Sequence, residues 1–541
     1  MRERESSMSS WKTVLTGSES SVGAAWPPVW LCETLKELFT AASESELFGE
    51  DEGGTTTTSC SSVVRGEDED SSDVLMLTEE EKGDMKKKLN SCCAARCCAN
   101  ALETCVVRER EAIASAASSL SSSSSGLREI LINALIAEEC AWRQLGDRSG
   151  WKLQAWREAF TCAQIFAVRA RLLFLVDGSM DTRVLRWCMR RVDMCFIMGG
   201  PKELLQPYVD IIEREGMLMD TAACGGTKTQ NVIQHQQPRL LGLHDPVPSC
   251  VEARQHAISK AGNGVREAKC TLSNADFRAQ FFDTDTPVVF RAYGQHMQWR
   301  CVSDDIAENW CSLETWKRRY GVRTIPLEVG LPKDDDWHET VTRFSSFIDD
   351  FLIPSSASDS TGHDIQAGGV AYLAQHPLFA QLPALQEDFS VPSWIADGEL
   401  TRVNSWIGSR STVSPLHYDS YENFFAQIAG YKVIKVLGES FGECVYPHAV
   451  SWTQQRSWPS QVDSVQCKDN DEQKKEAARR TGTISQVDVE CPDFERFPEY
   501  RNAEANVQEV VLGPGDVMYI PSRVWPHVRA LTTSISLNFL F

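Results

Sequence analysis

The chain has 541 residues, 42% of them hydrophobic, and 54 Lys and Arg against 75 Asp and Glu give a formal net charge of -21. That length exceeds what one hydrophobic core organises, so at least two domains are expected. The acidity repels phosphate backbones and, with no local basic patch, argues against direct nucleic-acid binding while suiting basic protein or peptide partners. The first residues lack the apolar core of a signal peptide, and no run of about 18 apolar residues predicts a membrane span. The 19 cysteines therefore read as reduced thiols of an intracellular protein, in nucleus and/or cytoplasm.

In chain order, residues 1–125 are expected to be largely disordered, because tracts such as DEGGTTTTSCSSVVRGEDEDSSD and SAASSLSSSSSG bury too little surface to offset ordering. The intervening stretch through CCAARCC can form one long helix, with its cysteines as small helix residues in preference to a zinc site. Residues 126–216 repeat apolar positions at three-to-four spacing, broken by Gly or Asp. They predict an α-helical domain that contacts protein partners. Residues 217–268 carry breakers and little period and read as a linker. From 269 to 541, short β-type runs (TPVVFRAY, RTIPLEVG, LTRVNSWIG, NFFAQIAGYKVIKVLG, VQEVVLGPGDVMYIP, SISLNFLF) alternate with Gly, Pro and Asp turns and predict a sandwich or barrel. SLETWKRRYG and VTRFSSFIDDFL read as helical interruptions, and 449–482 as a polar insertion. The fold class is thus α+β, with a C-terminal β-domain behind an α-helical one.

The chemistry-bearing residues cluster late. Among ten histidines, only His417 stands two before a carboxylate, Asp419. In an extended segment such residues share a face and can converge on one metal ion. A further histidine completes a two-His-one-carboxylate set with open positions for non-haem Fe(II). Lys432, in the next predicted strand, would point into the barrel, where a cation needs an anion. Lys435 reads as an exterior lysine. After the turn GPGD and an apolar strand comes His527, the candidate that returns to the first pair.

These residues sit in a region, Leu272 to Phe541, that resembles the Jumonji C domain of the family called lysine-specific demethylase 8, also described as a Jumonji-type arginyl hydroxylase. The matching stretches are NWCSLETWKRRYG, RTIPLEVG, AYLAQHPLFAQLPALQEDFSVP, VNSWIGSRSTVSPLHYDSYENFFAQIAGYK, ISQVDVECPDFERFPEY and VRALTTSISLNF. The helical segment with DMCFIMGG is similar to that family's N-terminal half. The resemblance implies a double-stranded β-helix (jelly-roll, cupin) and an oxygenase using Fe(II), 2-oxoglutarate as cosubstrate, and O2. It implies His417, Asp419 and His527 as iron ligands, Lys432 on the far carboxylate of 2-oxoglutarate, and Tyr372, Ser414, Asn423 and Trp406 around the cosubstrate. Glu328 and Gln375 fall near the substrate pocket. Arginine hydroxylation, or demethylation of methyl-lysine, in a protein substrate is the implied reaction.

One departure stands out. Where the family reads Trp-His-Tyr-Val-Arg, this chain reads Trp525-Pro526-His527-Val528-Arg529. A one-residue slip on a strand reverses side-chain direction, so His527 reaches the metal only if a bulge around Pro526 turns it inward. Without the bulge, the chain is a weakened or inactive Jumonji C scaffold.

Overall fold

The computed structural model describes residues 94–118, 124–145, 154–175, 181–223, 240–242, 245–305, 309–331, 336–353, 369–448 and 483–541. The low-complexity tracts before residue 94 and the polar insertion at 449–482 lie outside the described residues. Among those described, no helix is long and apolar enough to cross a membrane. The chain divides into a helical unit and a C-terminal β-rich unit.

Among the described residues, the helical unit has five helices: α1 (Ala94–Ser118), α2 (Ser124–Leu145), α3 (Gln154–Leu175), α4 (Thr182–Ile197) and α5 (Lys202–Ala223). The three-to-four spacing becomes buried faces, for example Leu127, Ile130, Leu131 and Ala134 of α2. Asp181 starts α4 by accepting from the Arg183 amide at 2.8 Å, an N-cap that satisfies one orphan donor. The helix stops at Gly199, whose φ of 84° suits glycine. Among the described residues, one buried and one part-buried ion pair cross the unit. Arg169 of α3 pairs with Glu109 of α1 and donates to the Tyr208 hydroxyl of α5 at 2.9 Å, and Arg191 of α4 pairs with Glu138 of α2. Cys97 and Cys98 are buried in α1, and Cys98 donates to the Ala137 carbonyl of α2 at 3.5 Å. They act as small core residues.

Among the described residues, the C-terminal unit holds helix α6 (Ser249–Ala261) and thirteen strands: β1 (Arg266–Ala268), β2 (Val288–Phe290), β3 (Thr324–Val329), β4 (His338–Arg343), β5 (Ala371–Leu373), β6 (Arg402–Gly408), β7 (Val413–Ser414), β8 (Asn423–Ala429), β9 (Lys432–Leu437), β10 (Gln508–Leu512), β11 (Val517–Ile520), β12 (Trp525–Ala530) and β13 (Ser534–Leu540). They form a large sheet in the order β1-β2-β11-β8-β13-β6-β5-β3-β4 and a small one in the order β10-β9-β12-β7. Between the sheets lie Phe425, Met518 and Ile520 from the large one and Ile434, Val436, Leu512 and Val528 from the small one. This is the double-stranded β-helix architecture. Outside the large sheet, an aromatic layer packs short helical segments on it; Phe290 and Trp394 stack with centroids 4.0 Å apart.

Strand alternation assigns every side chain of the small sheet to a face. On β9, Lys432, Ile434 and Val436 face the large sheet, while Val433, Lys435 and Leu437 face outward against α6 and the segment after residue 483. The outer cover is tied down where Lys435 donates to the Val489 carbonyl at 3.0 Å and Arg529 pairs with Glu490. Gly430, at φ 68°, turns β8 into β9, and a Cβ there would lie 2.1 Å from the Thr533 carbonyl.

Two sequence expectations are corrected here. The second half of the stretch 217–268 is structured, not linker. Residues 249–261 form α6, which buries only Val251 and docks through the ion pair of Arg254 with Glu509, so it has little apolar period to read. Beyond it, β1 pairs with β2 in parallel, while the Val265 amide donates to the Glu509 carbonyl at 3.3 Å and the Glu509 amide to the Asn263 carbonyl at 3.0 Å. VTRFSSFIDDFL is helical only from Phe344. Its first residues complete β4, which pairs along the whole of β3, because β-branched Val341 and Thr342 suit a sheet edge.

Candidate functional site

The inner wall of the barrel is built by cross-strand register. Glu328 of β3 lies opposite Tyr372 of β5, and Tyr372 opposite Gly408 of β6. Trp406, two positions along β6 on the same face, brings its ring to 5.6 Å from that of Tyr372. Gly408 is required there, since a Cβ would sit 2.6 Å from Tyr372 Cδ2. On the facing sheet, Lys432 is buried, 1% exposed, and donates from Nζ to the Tyr372 hydroxyl at 3.2 Å. Its ammonium also lies 5.2 Å and 5.5 Å from the ring centres of Tyr372 and Phe425. Ser414 of β7 hydrogen-bonds the Tyr372 hydroxyl.

This wall is electrostatically incomplete. Among the described residues Lys432 has no carboxylate partner, and burial pushes its ammonium down to about 7. Burial also pushes the Glu328 carboxyl up to about 7 and the Tyr372 phenol above its ordinary range. Trp406 Nε1 and Asn423 Oδ1 are buried without hydrogen-bond partners. A buried cation and an unpartnered indole donor on the inner wall fit a small carboxylate ligand such as 2-oxoglutarate. Lys432 and Tyr372 would hold its far carboxylate. Sequence reasoning missed Asn538, whose Oδ1 is likewise buried and orphaned; it lies opposite Phe425 on the interior face of β13. Its signal was there, since Ser536 and Asn538 alternate with Ile535, Leu537 and Phe539.

His417 and Asp419 stand beside β12. The His417 imidazole donates from Nδ1 to the Pro415 carbonyl at 2.7 Å, which leaves Nε2 as its free acceptor. Its backbone amide donates to the Pro526 carbonyl at 3.0 Å. The Asp419 carbonyl accepts from the Arg523 amide at 3.0 Å. Gln375 is exposed in the loop after β5, at φ 52°, and is not among the residues that register gathers on the inner wall.

The expectation for His527 is corrected by register. β12 pairs with β9 one-to-one from Trp525 to Ala530 without a bulge, so Pro526 lies opposite Val436 and His527 opposite Lys435. Pro526 therefore takes the interior position next to His417, and His527 shares the outer face with Lys435 and Arg529. The imidazole is buried there, 3% exposed, and burial pushes it down to about 4 against the pull of Glu490. No bulge forms because Pro526 forfeits nothing to β9. Its carbonyl faces His417, so its nitrogen faces that segment too, beyond the end of β7. Among the described residues, no three His, Cys, Asp or Glu side chains gather closely enough to hold a metal ion. The residues present do not fit an iron held by three protein ligands.

Comparison with known proteins agrees with this architecture. Residues 274–541 match the family model described as a Cupin-like domain. The chain is similar to JmjC domain-containing protein F of Dictyostelium discoideum, 29% identical over 440 residues, covering 74% of this chain and 85% of that protein. It is similar to lysine-specific demethylase 8 of Danio rerio, 28% identical over 398 residues, covering 71% and 80%. Lysine-specific demethylase JMJ30 of Arabidopsis thaliana is 27% identical over 425 residues, covering 74% and 84%.

Proposed function

Residues 274–541 being a Cupin-like domain of the JmjC type, we propose that the chain binds 2-oxoglutarate in this barrel and engages a basic protein segment, with the oxygenase chemistry of such barrels weakened or lost. The observation that carries the binding is Lys432, a buried ammonium with no carboxylate partner among the described residues. The observation that carries the weakening is Pro526 at the interior position beside His417.

Each residue of the wall has a definable task. Lys432 and Tyr372 neutralise and orient one carboxylate, Trp406 and Asn423 supply the remaining polar contacts, and Phe425 excludes water beneath the ammonium. Glu328 offers a carboxyl that burial pushes up to about 7. A guanidinium or ammonium from a substrate would restore its charge through a charge-assisted fork. Arginine is the first substrate choice, because its planar fork matches a carboxylate; methyl-lysine is the second, since relatives are named lysine-specific demethylases. In an intact site, Fe(II) would supply the oxidising power for hydroxylating such a side chain or releasing its methyl group. The nucleus and cytoplasm both hold basic protein tails of the required kind.

A second reading keeps full turnover, with a metal held by two side chains. It is favoured by one observation, the Nδ1 bond of His417 that leaves Nε2 available beside Asp419. Calorimetric titration of 2-oxoglutarate into the full chain, followed by succinate measurement with Fe(II) and an arginine or N-methyl-lysine peptide, separates the two. Saturable binding with little succinate supports the proposal. Rapid succinate formation that disappears in His417→Ala supports the second reading, and no binding in either condition overturns both.

A further inference from the structure

Register locates a disagreement between this barrel and a three-ligand metal site at one residue, Pro526. His417 lies between two stretches of backbone: its amide donates to the Pro526 carbonyl of β12 at 3.0 Å, and on its other side it bridges Ile484, whose side chain carries no donor atom. On β12 the interior positions are Pro526, Val528 and Ala530, opposite Val436, Ile434 and Lys432. None carries a donor atom, and Pro526 is the one at the level of His417. Around it stand the pinned imidazole of His417, Asp419 two residues on, and, on the adjacent strand, Lys432, bonded to the Tyr372 hydroxyl and without a carboxylate partner among the described residues. His527, the residue whose chemistry suits a metal, is turned to the opposite face and enclosed by the cover that Glu490 and Arg529 tie down.

We propose that, among the described residues, Pro526 alone leaves the metal set short of a ligand, so that a donor side chain placed at 526 completes a divalent-metal site while His527 takes no part. The inference rests on the reading of the barrel given above but is tested by metal binding rather than by 2-oxoglutarate. Proline at 526 contributes no ladder hydrogen bond to β9, so its replacement leaves β9 and β12 paired. The new residue also regains an amide facing the His417 segment.

Co(II), used alone as a redox-stable probe, reads the site directly through its visible absorption and its affinity for the full chain. Pro526→His is expected to bind Co(II) at least about tenfold more tightly than the native chain, in line with the sensitivity of metal sites to their ligand set, with visible bands that the native chain lacks. Pro526→Cys serves as the second variant, in which a near-ultraviolet thiolate-to-Co(II) band marks coordination. His527→Gln is expected to leave the weak native binding unchanged. Tight native binding that His527→Gln abolishes, or folded Pro526→His and Pro526→Cys proteins with native-like Co(II) affinity, would overturn the inference. Titration of 2-oxoglutarate in the presence of chelator is run on the same samples. Its failure counts against the cosubstrate reading, while the Co(II) measurements judge position 526 separately.

Discussion

Replacing Lys432 by Met should stabilise the ligand-free protein and abolish its response to 2-oxoglutarate. Burial lowers the ammonium from 10.5 to about 7, and at ~1.4 kcal/mol per unit a charged Lys432 weakens the free fold by on the order of 5 kcal/mol. Met fills the same apolar slot beside Phe425 without that charge, forfeiting only the bond to Tyr372, worth ~1 kcal/mol. With relaxation around the ammonium, a net gain of roughly 2–4 kcal/mol at pH 7 is expected, a rise of roughly 5–10 °C in Tm. The pH dependence fixes the sign. Between pH 7 and 10.5 the unfolded chain keeps a proton that the folded one has released, so native stability climbs with pH and the penalty is fully present below pH 7. The Met variant lacks that climb. Thermal melts at pH 6 to 9, with and without 2-oxoglutarate, measure both effects. A Met variant that melts below the native chain at pH 7 and still gains stability from 2-oxoglutarate would refute a buried, unpaired ammonium reserved for an anion.

The same linkage predicts that 2-oxoglutarate affinity falls as pH rises above about 7, by up to roughly tenfold per unit, because binding must reprotonate Lys432; calorimetry in buffers of different ionisation heat would register the proton uptake. Glu328 behaves with opposite sign. Its carboxyl stands near 7 when free, so affinity for an arginine peptide should weaken as pH drops below 7, and Glu328→Gln should remove that dependence along with roughly 1.5–3 kcal/mol of binding. Gly408→Ala drives a methyl group into Tyr372 and Thr412; about 1–3 kcal/mol of stability should be lost, with 2-oxoglutarate binding weakened, as read by melting and titration. In the helical unit, Arg169→Met removes the guanidinium that pairs with Glu109 and donates to the Tyr208 hydroxyl and should cost about 3–5 kcal/mol in denaturant unfolding.

Of the inner wall, spacing alone made Lys432 legible. Spacing singled out His417 and Asp419, which stand two apart, and Lys432 stood out as a charge in an alternating strand. Glu328, Tyr372, Ser414, Asn423 and Trp406 came from the resemblance, and register gives Glu328, Tyr372 and Trp406 one wall while Ser414 joins it through the Tyr372 hydroxyl. The direction of His527 was not legible. It depends on whether β12 slips against β9, which is decided by the partner strand and by the short reach of β7. Helix α6 escaped notice for a related reason: its docking rests on an ion pair to a residue far along the chain, and Val251 is its single buried side chain.

The short path from Asn263 to Ala268 has a practical consequence. It seals the free margin of β10 with one stretch of backbone and that of β2 with the next. A fragment cut to begin at Leu272, where the family likeness starts, would lay bare both margins as templates for unwanted strand association. The portable form of the barrel begins ahead of Ser249, with its own selvedge attached.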